Sequence, residues 1–168
     1  MLIAAWTYCV KRPLSFLVNT ILSPFYPRAY IEYRNFLAKL LDMPLADVAD
    51  LLYNTIEFRD DPLGGAIDYI ASPQITWARG FGDCDDVVEI WGNLFSEKRM
   101  QAYRLTILTL PIRDSHVLCL FHDGEGWKLV DDGGLYQQSF STREDAVRYL
   151  RHNNRSKIID YFFERFEG

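Results

Sequence analysis

Residues 82 to 86 read Gly-Asp-Cys-Asp-Asp and run directly into Val-Val-Glu-Ile-Trp-Gly-Asn-Leu-Phe, a helix-prone segment, so Cys84 falls at or just before a helix N-terminus. That placement favours a thiolate. The unpaired amides and the positive end of the helix dipole stabilise negative charge, and the thiolate, not the thiol with its free pKa of about 8.5, is the nucleophile. Downstream, His116 opens the strand-like Ser-His-Val-Leu-Cys-Leu-Phe, and Asp131 ends Trp-Lys-Leu-Val-Asp. A nucleophile, a base and an orienting acid thus occur in chain order.

The same residues also have a plainer use. Asp83 or Asp85 can cap the first-turn amides of a solvated helix, with Cys84 merely buried beneath it. The neighbouring acids also oppose a thiolate, because like charge disfavours it. A reactive Cys84 therefore needs a compensating cation, and His116 is the candidate.

Taken together, these residues resemble a transglutaminase-like cysteine peptidase, a branch of the papain-like superfamily common in bacteria and their phages. In that family a Gly-Asp-Cys-(Asp/Glu)-Asp segment starts the central helix, a His opens a following strand, and Trp-x-x-(apolar)-Asp supplies the third member. The matching positions are Gly82 to Asp86, His116, and Trp127 with Asp131. Phe58-Arg-Asp-Asp61 and Tyr69-Ile-Ala-Ser-Pro73 are also similar to what leads into the cysteine there. The resemblance covers residues 55 to 150 and leaves the first fifty outside it.

The fold it implies is α+β: a papain/transglutaminase-like core with the nucleophile helix packed on an antiparallel sheet, and added N-terminal and C-terminal helices. The triad acid is Asp131 or Asp132. On a strand, Trp127, Leu129 and Asp131 share one face and Asp132 points to the other, which favours Asp131. The implied chemistry is acyl transfer through a thioester: hydrolysis when water resolves it, transamidation when an amine does. The partner is then a protein or peptide substrate, with neither cofactor nor metal. Backbone amides at the helix start, that of Cys84 included, are candidate oxyanion donors. Gln74, Trp77 and Asp83 are the side-chain candidates for oxyanion or substrate positioning, although a glutamine after Pro73 also suits an ordinary turn or cap.

Composition fits one enzyme-sized domain. At 168 residues, 49% apolar and 15% aromatic, the chain can bury a sizeable core without disulfides or metal. Its three cysteines form neither a disulfide framework nor a Cys-x-x-Cys pair, which fits a reducing compartment, the cytoplasm of a bacterium or of an infected host cell. Cys119 and Cys9 read as packing residues. A net charge of −5 with no dense basic tract argues against nucleic acid. No apolar run reaches the roughly 18 residues of a membrane span. Lys11-Arg12 before Leu14 to Leu22 faintly imitates a signal peptide but lacks a small-residue cleavage site, so the segment reads as an arm or short helix that packs.

The remaining elements must position the site. Helices are predicted over 28–43 and 45–58, joined at Met43-Pro44, and strands over 102–110, 115–122 and 126–131 as an antiparallel meander. Ser141-Thr-Arg-Glu144 has capping-box spacing and begins a helix to Leu150. A final helix is expected from Ser156, with Ile158, Ile159, Phe162, Phe163 and Phe166 as its apolar stripe. The domain reading is one unit: a helical extension over 1–54, a catalytic core over 55–150 and a C-terminal helix over 151–168. His122 and His152 read as surface residues, and Asp60-Asp61 as a turn, since they lack calcium-loop spacing. The alternative to an enzyme is a binding or assembly protein on the same scaffold, such as a phage structural component. Exposure of Cys84 separates the two.

Overall fold

In the computed structural model, which describes residues 10–60 and 69–166, the strand-forming runs of the second half build one antiparallel sheet. Ala102–Leu110 forms β3, His116–His122 β4, Trp127–Asp131 β5, Gly134–Leu135 β6 and Lys157–Arg165 β7. Their order across the sheet is β6-β5-β4-β3-β7. Two shorter strands, Glu57–Phe58 (β1) and Phe81–Gly82 (β2), pair in parallel just ahead of the cysteine segment.

Five described α-helices surround the sheet: Arg12–Leu22 (α1), Ala29–Leu41 (α2), Leu45–Thr55 (α3), Pro73–Arg79 (α4) and Cys84–Glu97 (α5), with a sixth, Arg143–Asn153 (α6), after β6. The period-2 alternation of the strands divides the core. Val117, Cys119, Phe121 and Val130 face α5, where they join Val88, Ile90, Trp91, Leu94 and Phe95 and the inner stripes of α2 and α3. Leu105, Ile107, Leu118, Leu120 and Leu129 face the other way, onto Ala146, Val147 and Leu150 of α6. The expected packing of the nucleophile helix on an antiparallel sheet is what forms, and Cys119 is fully buried in it.

One expectation is overturned. The segment after Ser156 is not a helix but the nine-residue strand β7, paired antiparallel with β3. Its adjacent apolar pairs, Ile158-Ile159 and Phe162-Phe163, imitate a helical stripe. Ile159 is the residue left over where the register shifts by a bulge between Leu108 and Thr109, and it stays 42% exposed, whereas Phe162 and Phe163 alternate across two partly covered faces. Ile158, Tyr161 and Phe163 pack with the α6 layer, whereas Phe166 lies against Gly92 of α5. Aromatic and β-branched residues suit such a pleated, half-covered position better than a short helix. The C-terminal helix of the domain reading is therefore replaced by a fifth strand.

Smaller differences follow from local chemistry. The helix expected over 45–58 ends at Thr55, because Glu57 and Arg59 donate their amides to Gly80 and Gly82 instead of continuing the turn. The capping box of α6 is Thr142 with Asp145, one residue later than Ser141 with Glu144. Cys9 and the turn at 61–65 lie outside the described residues.

The N-terminal region, silent in the family resemblance, is tied to the approach to the cysteine. Leu14, Val18 and Leu22 of α1 pack on Tyr69, Ala71 and Ile75. The Ile70 amide donates to Ser15 Oγ at 2.7 Å. Asn19 clasps the same strap, donating to the Ile70 carbonyl at 2.8 Å and accepting from the Ser72 amide at 2.8 Å.

Candidate active site

Asp83 is the N-cap of α5 and Cys84 its first residue. The cap explains the local sequence: Asp83 Oδ1 accepts from the Asp85 amide at 3.0 Å and the Asp86 amide at 3.2 Å, and the Asp86 carboxylate accepts from the Asp83 amide in return. Asp83 is thus an acceptor committed to the helix start, which leaves no oxyanion donor there except backbone N–H groups. With the amides of Asp85 and Asp86 engaged, the Cys84 N–H is the helix-start amide with no hydrogen bond among the described residues. Gly82 is required by close approach. A Cβ there would stand 2.7 Å from both Cβ and Oδ2 of Asp86. Asp86 cannot give way easily, because it is completely buried and held by the Ala71 amide at 2.6 Å and by the Arg79 guanidinium.

His116 enters at the first position of β4 and Asp131 at the last of β5, so both lie at the same end of the sheet as the start of α5. His116 is close enough to Cys84 to act on its thiol, pulling its pKa down. His116 Nε2 lies 3.4 Å from Asp131 Oδ2 and 3.3 Å from Asp132 Oδ1, which leaves Nδ1 for the cysteine. Both candidate acids thus converge on one nitrogen. They differ in how firmly they are held: Asp131 is the less exposed, 10% against 26%. Its Oδ1 accepts from the Gly133 amide at 2.8 Å and its Oδ2 from the Tyr136 hydroxyl at 2.9 Å.

Charge balance at the site has clear causes. Burial pushes the Cys84 thiol up and Asp85 and Asp83 add to that rise, while the hydrogen bond from His116 pulls it down. For His116, burial favours the neutral ring, but hydrogen bonds to Asp131, Asp132 and Cys84 outweigh it and raise the pKa to about 12. Burial raises Asp132 and the His116 partner more than reverses this, leaving it below the usual carboxylate range. The protonated ring is therefore the favoured form of His116, with the Cys84 sulfur and two carboxylates about it.

The remaining sequence candidates sit apart from this trio. Trp77 is spent in packing: its ring stacks on Phe36 with centroids 3.6 Å apart and planes 13° from parallel. Gln74 is half-buried in the first turn of α4, and no hydrogen bond joins it to Cys84 or His116. His122 packs edge-on against Trp127 and accepts from the Gly124 amide, and His152 contacts the Arg148 carbonyl at the end of α6.

Sequence reasoning missed the cations behind the nucleophile segment. Arg104 of β3, 1% exposed, points from the sheet toward α5 and gives Asp85 Oδ1 a 2.9 Å bond. It also pairs with Glu89, and its Nε lies 3.8 Å from Glu164 of β7. Lys11, at the start of α1, pairs with the other oxygen of Asp85. An arginine inside an otherwise apolar strand run is the one signal that marked Arg104. Nothing local marked Lys11.

The sheet order, the cysteine-bearing helix across it and the added N-terminal helices can be compared with known folds. No protein-family description matches the chain, and no curated protein does. Among solved structures it is similar to LapG of Legionella pneumophila. Against the calcium-bound form the identity is 18%, over 82% of this chain and 75% of that one, with a TM-score of 0.55. A second LapG structure gives 19% identity over 80% and 74% at a TM-score of 0.51, and an EGTA-treated one gives 18% over 80% and 72% at 0.53. The fold is transglutaminase-like. Within this fold, Cys84 opens the helix packed on the sheet and His116 opens a strand of that sheet.

Proposed function

We propose that this protein is a cysteine-dependent amide-bond hydrolase or acyltransferase acting through a thioester, with Cys84 as nucleophile, His116 as its proton partner and Asp131 as the orienting acid. The observation that carries this reading is Cys84 at a helix N-terminus beside His116, whose ring lies 3.4 Å from the anchored Asp131 carboxylate. Similarity to LapG, a transglutaminase-like cysteine protease, supports the same class and a protein or peptide substrate.

In this reaction Cys84 and His116 start as a thiolate–imidazolium pair, the thiol's proton resting on the ring, and the thiolate adds to the amide carbonyl. The oxyanion is placed to receive the Cys84 N–H, a type of donor whose loss typically costs about 100- to 1000-fold in turnover. Collapse breaks the C–N bond as His116 gives its proton to the leaving amine. Neutral His116 then takes a proton from water or an acceptor amine, which attacks the thioester and frees Cys84. The non-catalytic alternative, a relic site sealed in the fold, is disfavoured by exposure: Cys84 is only partly covered and the His116 side chain is 28% exposed.

LapG has been solved calcium-bound, which makes the acids beside Cys84 candidate calcium ligands. They do not fit. Calcium takes about six to eight oxygens, whereas both Asp85 oxygens face cations and Asp86 is held by Ala71, Arg79 and Asp83. Asp83 gives its Oδ1 to the helix cap.

The test is the rate of alkylation of each cysteine by iodoacetamide across pH, in wild type and His116→Ala. Fast labelling of Cys84 alone in the mildly acidic range, slowed in the variant, is expected. Slow labelling of Cys84 that rises only near the ordinary thiol pKa would overturn the enzyme reading.

A further inference from the structure

The nucleophile is flanked by acids whose charge opposes its own. Asp83 and Asp85 border Cys84 in the chain, and both raise the Cys84 pKa. Asp85 is also buried, 4% exposed, and an isolated carboxylate cannot remain ionised in such a place without close partners. Its partners arrive from two distant elements: Arg104 on Oδ1 from the sheet, and Lys11 on Oδ2 from α1, 74 residues away in sequence. Lys11 is itself 7% exposed, an unusual burial for a lysine.

We propose that Lys11 is a positioning residue for the nucleophile, a counter-cation that α1 inserts beside Asp85 so that the acid-rich segment can carry a thiolate without a bound divalent metal. The inference rests on the cysteine-nucleophile reading above and deepens it.

Three features support the assignment. First, Arg104 cannot neutralise Asp85 alone, because it is shared with Glu89 and faces Glu164 as well. Three carboxylates against one guanidinium leave negative charge behind Cys84. Lys11 supplies a second positive charge at Asp85 itself, and Arg12 supplies a third at Glu164, with its Nη2 at 2.5 Å. Second, α1 is seated firmly enough to deliver the ammonium. Ser15 and Asn19 bond to the 70–72 strap and Leu14, Val18 and Leu22 pack beneath it. Third, Asp83, Cys84 and Asp85 bring one ligand atom each within 4.8 Å of one another, yet an Asp85 oxygen that an ion would take meets the Lys11 ammonium.

The test reads iodoacetamide labelling of Cys84 against pH in wild type, Lys11→Arg, Lys11→Met and the double variant Lys11→Met with Asp85→Asn, each with added calcium or EGTA. The charged groups around the thiol are Asp83, Asp85 and His116, backed by Lys11, Arg104, Glu89, Glu164, Arg12, Asp86, Arg79, Asp131 and Asp132. Lys11→Met should slow labelling near neutral pH by about tenfold, the equivalent of one pKa unit, and move the midpoint upward. Lys11→Arg should keep the rate within roughly twofold, since the charge is retained. The double variant should recover it, because the opposing charge is removed with the cation. Neither calcium nor EGTA should change the wild type.

A folded Lys11→Met protein that labels like wild type overturns the proposal, as does a wild-type rate that falls in EGTA. Should Lys11→Met fail to fold, Asp85→Asn alone decides. With the ammonium kept and the carboxylate neutral, labelling at acid pH must accelerate, and no acceleration overturns the assignment. A wild-type Cys84 with ordinary thiol reactivity removes the nucleophile reading and this inference with it. An activated Cys84 indifferent to Lys11 removes only this one.

Discussion

The Tyr136 hydroxyl donates a 2.9 Å hydrogen bond to Asp131 Oδ2, the same oxygen that faces His116 Nε2 at 3.4 Å. The tyrosine and the histidine thus share one oxygen of the acid. It comes from the loop that follows β6, and its amide bonds to the Leu129 carbonyl of β5. The phenol is held far in its neutral form, by burial first and by the Asp131 charge second, so it acts as a donor at any physiological pH.

Tyr136→Phe removes that donor while keeping the ring that packs in the α6-side core. A hydrogen bond to a charged group is worth about 1.5–3 kcal/mol. The variant should unfold at lower urea and label Cys84 several-fold more slowly, with a smaller effect than His116→Ala. Denaturation by urea together with the alkylation rate measures both. A variant with wild-type reactivity would show that Asp131 needs no second anchor.

Two carboxylates at nearly equal distances from one nitrogen make the acid redundant for charge but not for orientation. Asp132→Asn should keep most Cys84 reactivity, because Asp131 remains fixed by Tyr136 and the Gly133 amide. Asp131→Asn should lower it by tenfold or more, on the order of one pKa unit of lost pairing together with a freed ring. The double variant should drop the His116 titration toward the ordinary value near 6.5, which NMR of the imidazole would follow. Equal losses in the two single variants would mean that the acids act as one unit.

The raised His116 pKa makes a pH-dependent contribution to stability. Its folded value, about 12, lies above the unfolded value, so the protonated ring favours the folded state. This contribution is complete below about pH 6.5 and is lost progressively as pH rises toward the folded value. The stability difference between wild type and His116→Ala should therefore shrink from neutral to alkaline pH. Urea melts of both proteins at neutral and alkaline pH test this, and a gap that widens with pH would contradict the site's charge assignment.

Gly92 of α5 lies directly under the Phe166 ring, so a Cβ there would overlap it. Gly92→Ala should destabilise by about 1–3 kcal/mol, the usual cost of overpacking, despite alanine's higher helix propensity. Adding Phe166→Ala should return part of that loss by opening the space. Thermal melts of the two single variants and the double variant form the cycle. A gain in stability from Gly92→Ala alone would mean that the ring is not seated on the helix.

The amino-acid sequence by itself determined the features that depend on neighbours in the chain. The helix start at Cys84, the Asp83 cap, the strands that carry His116 and Asp131, and the apolar faces of α2, α3 and α5 all follow from periodicity and capping, which act within a few residues. The period of 2 favoured Asp131 by turning Asp132 to the other face, whereas in the fold both carboxylates reach one His116 nitrogen. β7 was not legible, because its doublets of apolar residues fit either period until β3 supplies the pairing partner. Lys11, Arg104 and Glu164 were not legible for a related reason. A charge reveals its partner only when distant elements pack, and the Lys11 to Asp85 pair spans 74 positions that no local rule connects. Tertiary packing, by burying Asp85, turned an ordinary lysine into the partner of the acid next to Cys84.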